Sequence, residues 1–243
     1  MSFINFRKLL KFLRLLPHLS FRRGLRQGVG ATIEHRQILF PLFPVTVVDI
    51  GANIGQFSLL AHTLFPKARI HAFEPLQVPA ARFAKLFAGD RLVTLHRCAI
   101  GPEESSSAMN VSGAIDSSSL LPITDTQADF APGTGAVGVE RVTVRRLDSI
   151  LKPADIAAPA LLKLDVQGFE LPALQGCGAL LNSFSWVYVE VSFVELYGGQ
   201  ALASEIVAFL HSHGFVLAGV ANPSFLPDGT CVQADFLFRS GTA

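Results

Sequence analysis

Hydrophobic and polar positions along the chain alternate between two periods. Val45 to Ile50 is an apolar, β-branched run interrupted only by Asp49, the pattern of a strand covered on both faces of a parallel sheet. Glycines at 51 and 55 punctuate it, and Phe57, Leu60, Ala61 and Leu64 then recur at helical spacing. Strand, glycine turn and helix form the front of a βαβ unit. A second apolar run, Arg69 to Pro75, predicts the next strand. A helix is expected over Pro79–Phe87, with Phe83 and Leu86 facing the core, and a third strand over Arg91–Ile100. Ala160–Asp165 and Trp186–Val191 read as strands four and five, with a helix starting near Leu171 after the first of them. Leu202–His213 reads as a helix closed by Gly214. Phe215–Val220 and Cys231–Arg239 read as two last strands, joined by turn signals at Asn222-Pro223 and Asp228-Gly229.

Two regions break this alternation. Residues 101–145 are rich in serine, glycine and proline, with short strands expected at Ala108–Val111 and Glu140–Val144. Leu120, Leu121, Ile123 and Phe130 argue for partial burial, so an insertion folded over the carboxyl edge of the sheet is expected. Residues 1–26 carry Phe3, Phe6, Leu9, Leu10, Leu13 and Leu16 on one helical face and Arg7, Lys8, Lys11 and Arg14 on the other. Such a helix either lies on anionic lipid or packs on the domain with its charges solvated. Gly28–Phe43 reads as a further helix, docking through Ile33, Gln37 and Phe40. The expected division is a basic helical extension over 1–32 and one α/β domain over 33–243.

Composition narrows the class. Half of the 243 residues are hydrophobic, enough for a sizeable core, and no apolar run reaches the roughly 18 residues of a membrane span. A net charge of +1 does not indicate a nucleic-acid surface. The charge is uneven: the first 33 residues hold seven Lys/Arg and no acid. Cys98, Cys177 and Cys231 are isolated, which disfavours a zinc site or disulfide framework and fits a reducing, cytoplasmic compartment; residues 1–26 add the option of peripheral contact with the inner face of a membrane.

The candidate chemistry sits at strand ends. The spacing Asp49-x-Gly51-x-Asn53-x-Gly55 is neither a dinucleotide fingerprint nor a P-loop. An acid before a lysine-free glycine turn suits a ligand with a cationic end, such as S-adenosylmethionine (SAM). Gly51, Asn53 and Gly55 are then expected to shape the methionine pocket, with Asp49 in support. Glu74, after one helix and one strand, stands where an acid grips a ribose diol. Pro75, Ala99 and Ile100 are expected beside the adenine, and Ser118, in the Ser117–Ser119 run, either closes over the cofactor or makes a plain turn. Lys163 and Asp165 share one face of their strand, and a lysine there requires a partner. Asp165 is the candidate base or acceptor-hydroxyl ligand near the transferring methyl, and Glu190, ending the next strand, is a second acid. His96 reads as a core histidine rather than a catalyst. No cluster of ligands points firmly to a metal.

In this order, the residues Val48 to Gly55, Phe73 to Pro75, Ala99 to Gly101, Ser117 to Leu120, Leu147-Asp148 and Leu162 to Glu170 resemble the FkbM family of SAM-dependent methyltransferases over about residues 33–239. The departure is Gln167, where the family usually has Glu. The resemblance implies the class I fold, a seven-stranded, mostly parallel sheet with helices on both faces and its last strand antiparallel. It also implies O-methylation of hydroxyls on sugars, glycolipids or polyketides. A catalytically silent SAM-binding protein, or a membrane-peripheral scaffold of the same fold, is the alternative.

Overall fold

The computed structural model describes residues 18–241. The apolar and basic faces expected over residues 1–17 lie outside the described residues. In chain order come α1 (Leu19–Arg26), α2 (Arg36–Leu39), β1 (Thr46–Ile50), α3 (Gln56–Leu64), β2 (Arg69–Phe73), α4 (Gln77–Leu86), β3 (Val93–His96), β4 (Ala99–Ile100), β5 (Ser105–Ser112), α5 (Asp125–Phe130), β6 (Ala136–Arg145), α6 (Leu147–Ile150), β7 (Ala160–Leu164), α7 (Glu170–Gly176), β8 (Trp186–Ser192), α8 (Ala203–Ser212), β9 (Phe215–Phe225) and β10 (Cys231–Ser240), with short 3-10 turns between them.

Seven strands form one sheet in the order β3-β2-β1-β7-β8-β10-β9. The pairs from β3 to β8 are parallel, and β10 runs antiparallel to both β8 and β9. This is the order and sense of the class I methyltransferase fold. Every residue of β1 and of β7 is buried, because helices cover both faces. Alternate side chains feed two cores. Val48, Ile50, Leu162, Leu164, Val187 and Val189 pack towards α7 and α8. Val47, Leu161, Tyr188 and Leu237 pack towards α1 and α3.

Phe21, Val29 and Ala31 belong to that second core, so part of the expected 1–32 extension contributes to the domain's packing. Gly24 of α1 lets it approach α3, since a Cβ there would lie 2.4 Å from Leu59 Cδ2. The helix expected over 28–43 is instead a broken series: a 3-10 turn at Ile33–His35, α2, and a second 3-10 turn at Phe40–Leu42. Leu39 and Leu42 are buried while Phe40 is half exposed; Pro41 and Pro44 keep the chain from continuing as one helix.

The expected third strand divides in two. β3 pairs with β2, but β4 leaves the main sheet and pairs with β6. The region 101–145 is a long hairpin, β5 with β6, in a three-stranded sheet of order β4-β6-β5. Asn222-Pro223 is not the turn between the last strands either. β9 runs through it as an irregularity, Asn222 taking φ 48°, and the chain reverses near Leu226–Thr230. Among the described residues, no helix is long and apolar enough to cross a membrane.

Candidate active site

The carboxyl ends of β1, β2 and β7, together with β4, β5 and the turn after β5, wall one cavity. Its lining includes Gly51, Asn53, Glu74, Pro75, Ala99, Ile100, Met109, Ser118, Leu120, Lys163, Asp165, Gln167 and Phe169. It stands beside the point where strand order reverses between β1 and β7, the expected position for a ligand in such a sheet.

The turn after β1 is set by backbone demands. Gly51 has φ 79°, and a Cβ on it would sit 1.9 Å from the Asp165 carbonyl oxygen, so only glycine lets the tips of β1 and β7 come together. Gly55 has φ 97°, and a Cβ on it would meet the rings of Phe83 and Phe87 and the end of Leu86 at 3.0–3.1 Å. It does not line the cavity; it starts α3 and seats that turn on α4. Asn53, at φ 47°, donates its N–H to Glu74 Oε2 at 2.9 Å. Its own Oδ1 is buried without a hydrogen-bond partner among the described residues, an orphan acceptor that a ligand donor would satisfy.

Glu74 is 5% exposed and also accepts from the Leu76 N–H at 2.8 Å. Burial raises its pKa to about 7, against the lowering effect of these two hydrogen bonds. Each carboxylate oxygen keeps a lone pair for the hydroxyls of a diol. Pro75, Ala99 and Ile100 supply apolar wall on the same side. Ser118 accepts from the Ser112 N–H at 3.1 Å and donates to the Ile115 carbonyl at 3.1 Å; its hydroxyl shapes the turn that brings Ile115 and Leu120 to the cavity. An unpartnered amide oxygen, a diol-sized carboxylate and an apolar slot fit an adenosyl group bearing an amino acid.

Asp49 is fully buried and does not line the cavity. Its Oδ2 accepts from the Ser58 hydroxyl at 2.7 Å, and its Oδ1 lies 3.1 Å from Lys163 Nζ. Lys163 also donates to the Gly51 carbonyl at 3.1 Å, and stands 3.8 Å from Asp165 Oδ2. The lysine's main partner is thus the acid on the neighbouring strand, directly opposite in register. Burial alone would lower the Lys163 pKa, but Asp49 and Asp165 outweigh it and hold it above its ordinary value.

Asp165 and Glu190 come together through Gln167, whose left-handed φ of 56° turns its side chain between them. Its Nε2 donates to Asp165 Oδ1 at 2.6 Å and to Glu190 Oε2 at 3.3 Å. Its Oε1 accepts from the Tyr197 hydroxyl at 2.6 Å. An amide is suited to this place because it donates to two acids and accepts from a phenol. Burial, then the neighbouring Asp165 and Asp235, push Glu190 well above the carboxylate range. Glu190 is not part of the cavity wall, whereas Asp165 is.

His96 stacks on Phe73, with centroids 4.6 Å apart, and burial lowers its pKa; it does not line the cavity. Among the described residues, no group of three or more His, Cys, Asp or Glu side chains is placed to hold a metal ion. Thr32, His35, Gln56 and Phe57 also line the cavity and were missed at the sequence level, since a docking helix was expected at Thr32 and His35. An isolated polar residue before the first strand carries no periodic signal.

The family model described as methyltransferase FkbM domain matches residues 49–217. The 31-O-demethyl-FK506 methyltransferase FkbM of Streptomyces tacrolimicus is 29% identical over 202 residues, covering 74% of this chain and 75% of that protein. The 2-O-methyltransferase NoeI of Sinorhizobium fredii is 27% identical over 233 residues, 91% of this chain and 90% of that one. The hexuronic acid methyltransferase AglP of Haloferax volcanii is 27% identical over 179 residues, covering 70% and 68%.

Proposed function

The chain belongs to the FkbM methyltransferase family and is a SAM-dependent methyltransferase, and from that premise we propose that it methylates a hydroxyl on a sugar, glycolipid or polyketide-type acceptor. The observation carrying this reading is Asp165 at the tip of β7, in the cavity wall and bridged through Gln167 to Glu190. A hydroxyl is a donor that such a carboxylate can orient. The names of the relatives agree, two specifying an O-methyl position and one a hexuronic acid.

SAM supplies an activated methyl on a sulfonium, already a good leaving group, so the protein's task is alignment and management of the hydroxyl proton. Glu74 would hold the ribose, Asn53 Oδ1 a donor on the ligand, and Pro75, Ala99 and Ile100 the adenine. The Ser117–Ser119 turn would cover the cofactor. Asp165 would hold the acceptor hydroxyl as its ligand or its base, with Glu190 as the second acid behind it. Residues 1–26 are proposed to make peripheral membrane contact through the stretch before α1, which would suit a lipid-linked acceptor; liposome sedimentation with and without residues 1–17, which keeps Phe21 of α1 in the core, tests this, and equal recovery removes it.

The main experiment is transfer of tritiated methyl from SAM to a panel of sugar, glycolipid and polyketide alcohols. Labelled ether product is expected with one of these classes, and Asp165→Asn should bind SAM normally while losing turnover. Methylation confined to nitrogen or carbon acceptors, or full turnover by the variant, refutes the proposal.

A further inference from the structure

The cavity wall also holds an ionisable side chain that the reading above leaves unused. His35 lies outside the stretch matched by the family model, on the 3-10 turn before α2. Its Nδ1 faces a partly buried polar cluster: Asp235 Oδ2 at 3.2 Å, the Tyr188 hydroxyl at 2.8 Å and, at its exposed edge, Asn222 Nδ2 at 3.0 Å. Asn222 in turn donates to Asp235 Oδ2 at 2.7 Å. Phe57 packs edge-on against the imidazole, with centroids 5.9 Å apart. On the charged side, Lys163 Nζ sits over the Phe57 ring at 5.3 Å, and Glu190 faces Asp235 across β8 and β10.

Two features give this cluster a direction. Burial alone would raise the Asp235 pKa, yet the hydrogen bonds from His35, Asn222 and Tyr188 hold it below the usual carboxylate range. Asp235 Oδ2 and the Tyr188 hydroxyl both lie within reach of an N–H on Nδ1, so the tautomer with its proton on Nδ1 fits this cluster and leaves the lone pair on the other ring nitrogen. Nε2 has no hydrogen-bond partner among the described residues, and His35 is part of the cavity wall, so Nε2 is the ring nitrogen left for a ligand. The second feature is placement. Glu74 follows β2, on one side of β1. Tyr188 and Asp235 stand on β8 and β10, beyond β7 on the other side. A cofactor held through Glu74 leaves the His35 side for the acceptor.

We infer that His35 is the catalytic residue that takes the acceptor hydroxyl's proton, with Asp235 as the positioning residue that holds its tautomer. The inference rests on the methyl-transfer reading. The acceptor oxygen forms a C–O bond to the donor methyl as the C–S bond breaks and its electron pair passes to sulfur. The hydroxyl proton passes to Nε2, and the imidazolium so formed is offset by the Asp235 carboxylate. Asp165, whose oxygens already face Gln167 and Lys163, then serves as the hydroxyl's ligand rather than its base.

The test uses the full chain and S-adenosylhomocysteine, the spent thioether product, as probe. In that complex, ¹⁵N NMR should show the His35 tautomer with its proton on Nδ1, and Asp235→Asn should disturb that tautomer. Calorimetry should give His35→Gln the same affinity for the thioether within threefold, which also certifies that the variant is folded. In tritiated-methyl transfer, His35→Gln should lose about 10²–10⁴-fold in kcat with KM for SAM nearly unchanged, and Asp235→Asn should fall in between. A proton on Nε2, turnover by His35→Gln within threefold of wild type, or a tenfold loss of thioether affinity in that variant each overturns the inference. Failure of the wild-type chain to bind the thioether at all would instead strike at the methyl-transfer reading.

Discussion

Lys163→Met isolates the pair that joins β1 to β7. Lys163 is 6% exposed and Asp49 fully buried, with Nζ 3.1 Å from Oδ1. At an effective dielectric of about 20, unit charges at that separation attract by about 5 kcal/mol. Methionine replaces the apolar stem, so little cavity energy enters. What remains is a carboxylate in the core with one hydroxyl partner, Ser58. Removing one member of a buried pair typically costs about 3–5 kcal/mol, which corresponds in a chain of this size to a fall in Tm of about 6–20 °C. Urea and thermal unfolding of the full chain at pH 7.5 measure it. Asp49→Asn combined with Lys163→Met should recover most of the loss, because no charge is then stranded. The pH dependence has a definite sign. Since the folded-state pKa of Lys163 is raised, its contribution is complete below the unfolded-state value of about 10.4 and disappears only as pH climbs through the folded value. The gap between wild type and variant should therefore persist across neutrality and close only in strong alkali. A loss below about 1 kcal/mol, or a double variant no more stable than Lys163→Met alone, refutes the reasoning.

Two further outcomes follow from the same geometry. Because burial holds Glu74 at about 7, its carboxylate forms as pH rises through neutrality; SAM affinity measured by calorimetry should increase from pH 6 to 8, and Glu74→Gln should abolish that rise and bind about 10–100-fold more weakly at pH 8. A flat wild-type profile removes Glu74 from the ribose. Gly51→Ala combines a strained φ with a Cβ 1.9 Å from the Asp165 carbonyl, so unfolding should show a loss of about 2–6 kcal/mol, and a variant within 1 kcal/mol of wild type contradicts the assigned close approach.

What could be read from the chain alone was whatever has a period or a punctuation mark. β1 and β7 announced themselves as short apolar runs because both faces are covered, and Asp49, Glu74 and Asp165 were visible as acids beside glycines or at strand tips. Helices α3, α4 and α8 followed from spacing that buries one face. The strands of the 101–145 hairpin were placed but their length was not, since β6 is mostly exposed and solvent-facing strands carry little hydrophobic pattern. The split between β3 and β4 was hidden as well, because an apolar run does not say which partner its N–H groups will find.

Local pattern therefore determined the elements, the parallel core and the set of acids near one sheet edge. Tertiary structure alone decided the partnerships: that Lys163 answers Asp49 across the β1–β7 register more closely than Asp165 on its own strand, that Gln167 separates two carboxylates, and that His35 meets Tyr188 and Asn222 from 153 and 187 positions away. The reason is physical. Periodicity records how a segment partitions between core and water, a property of neighbours in the chain, whereas hydrogen bonds and ion pairs depend on angstrom-scale distances that exist only once the sheet has fixed which strand tips lie side by side.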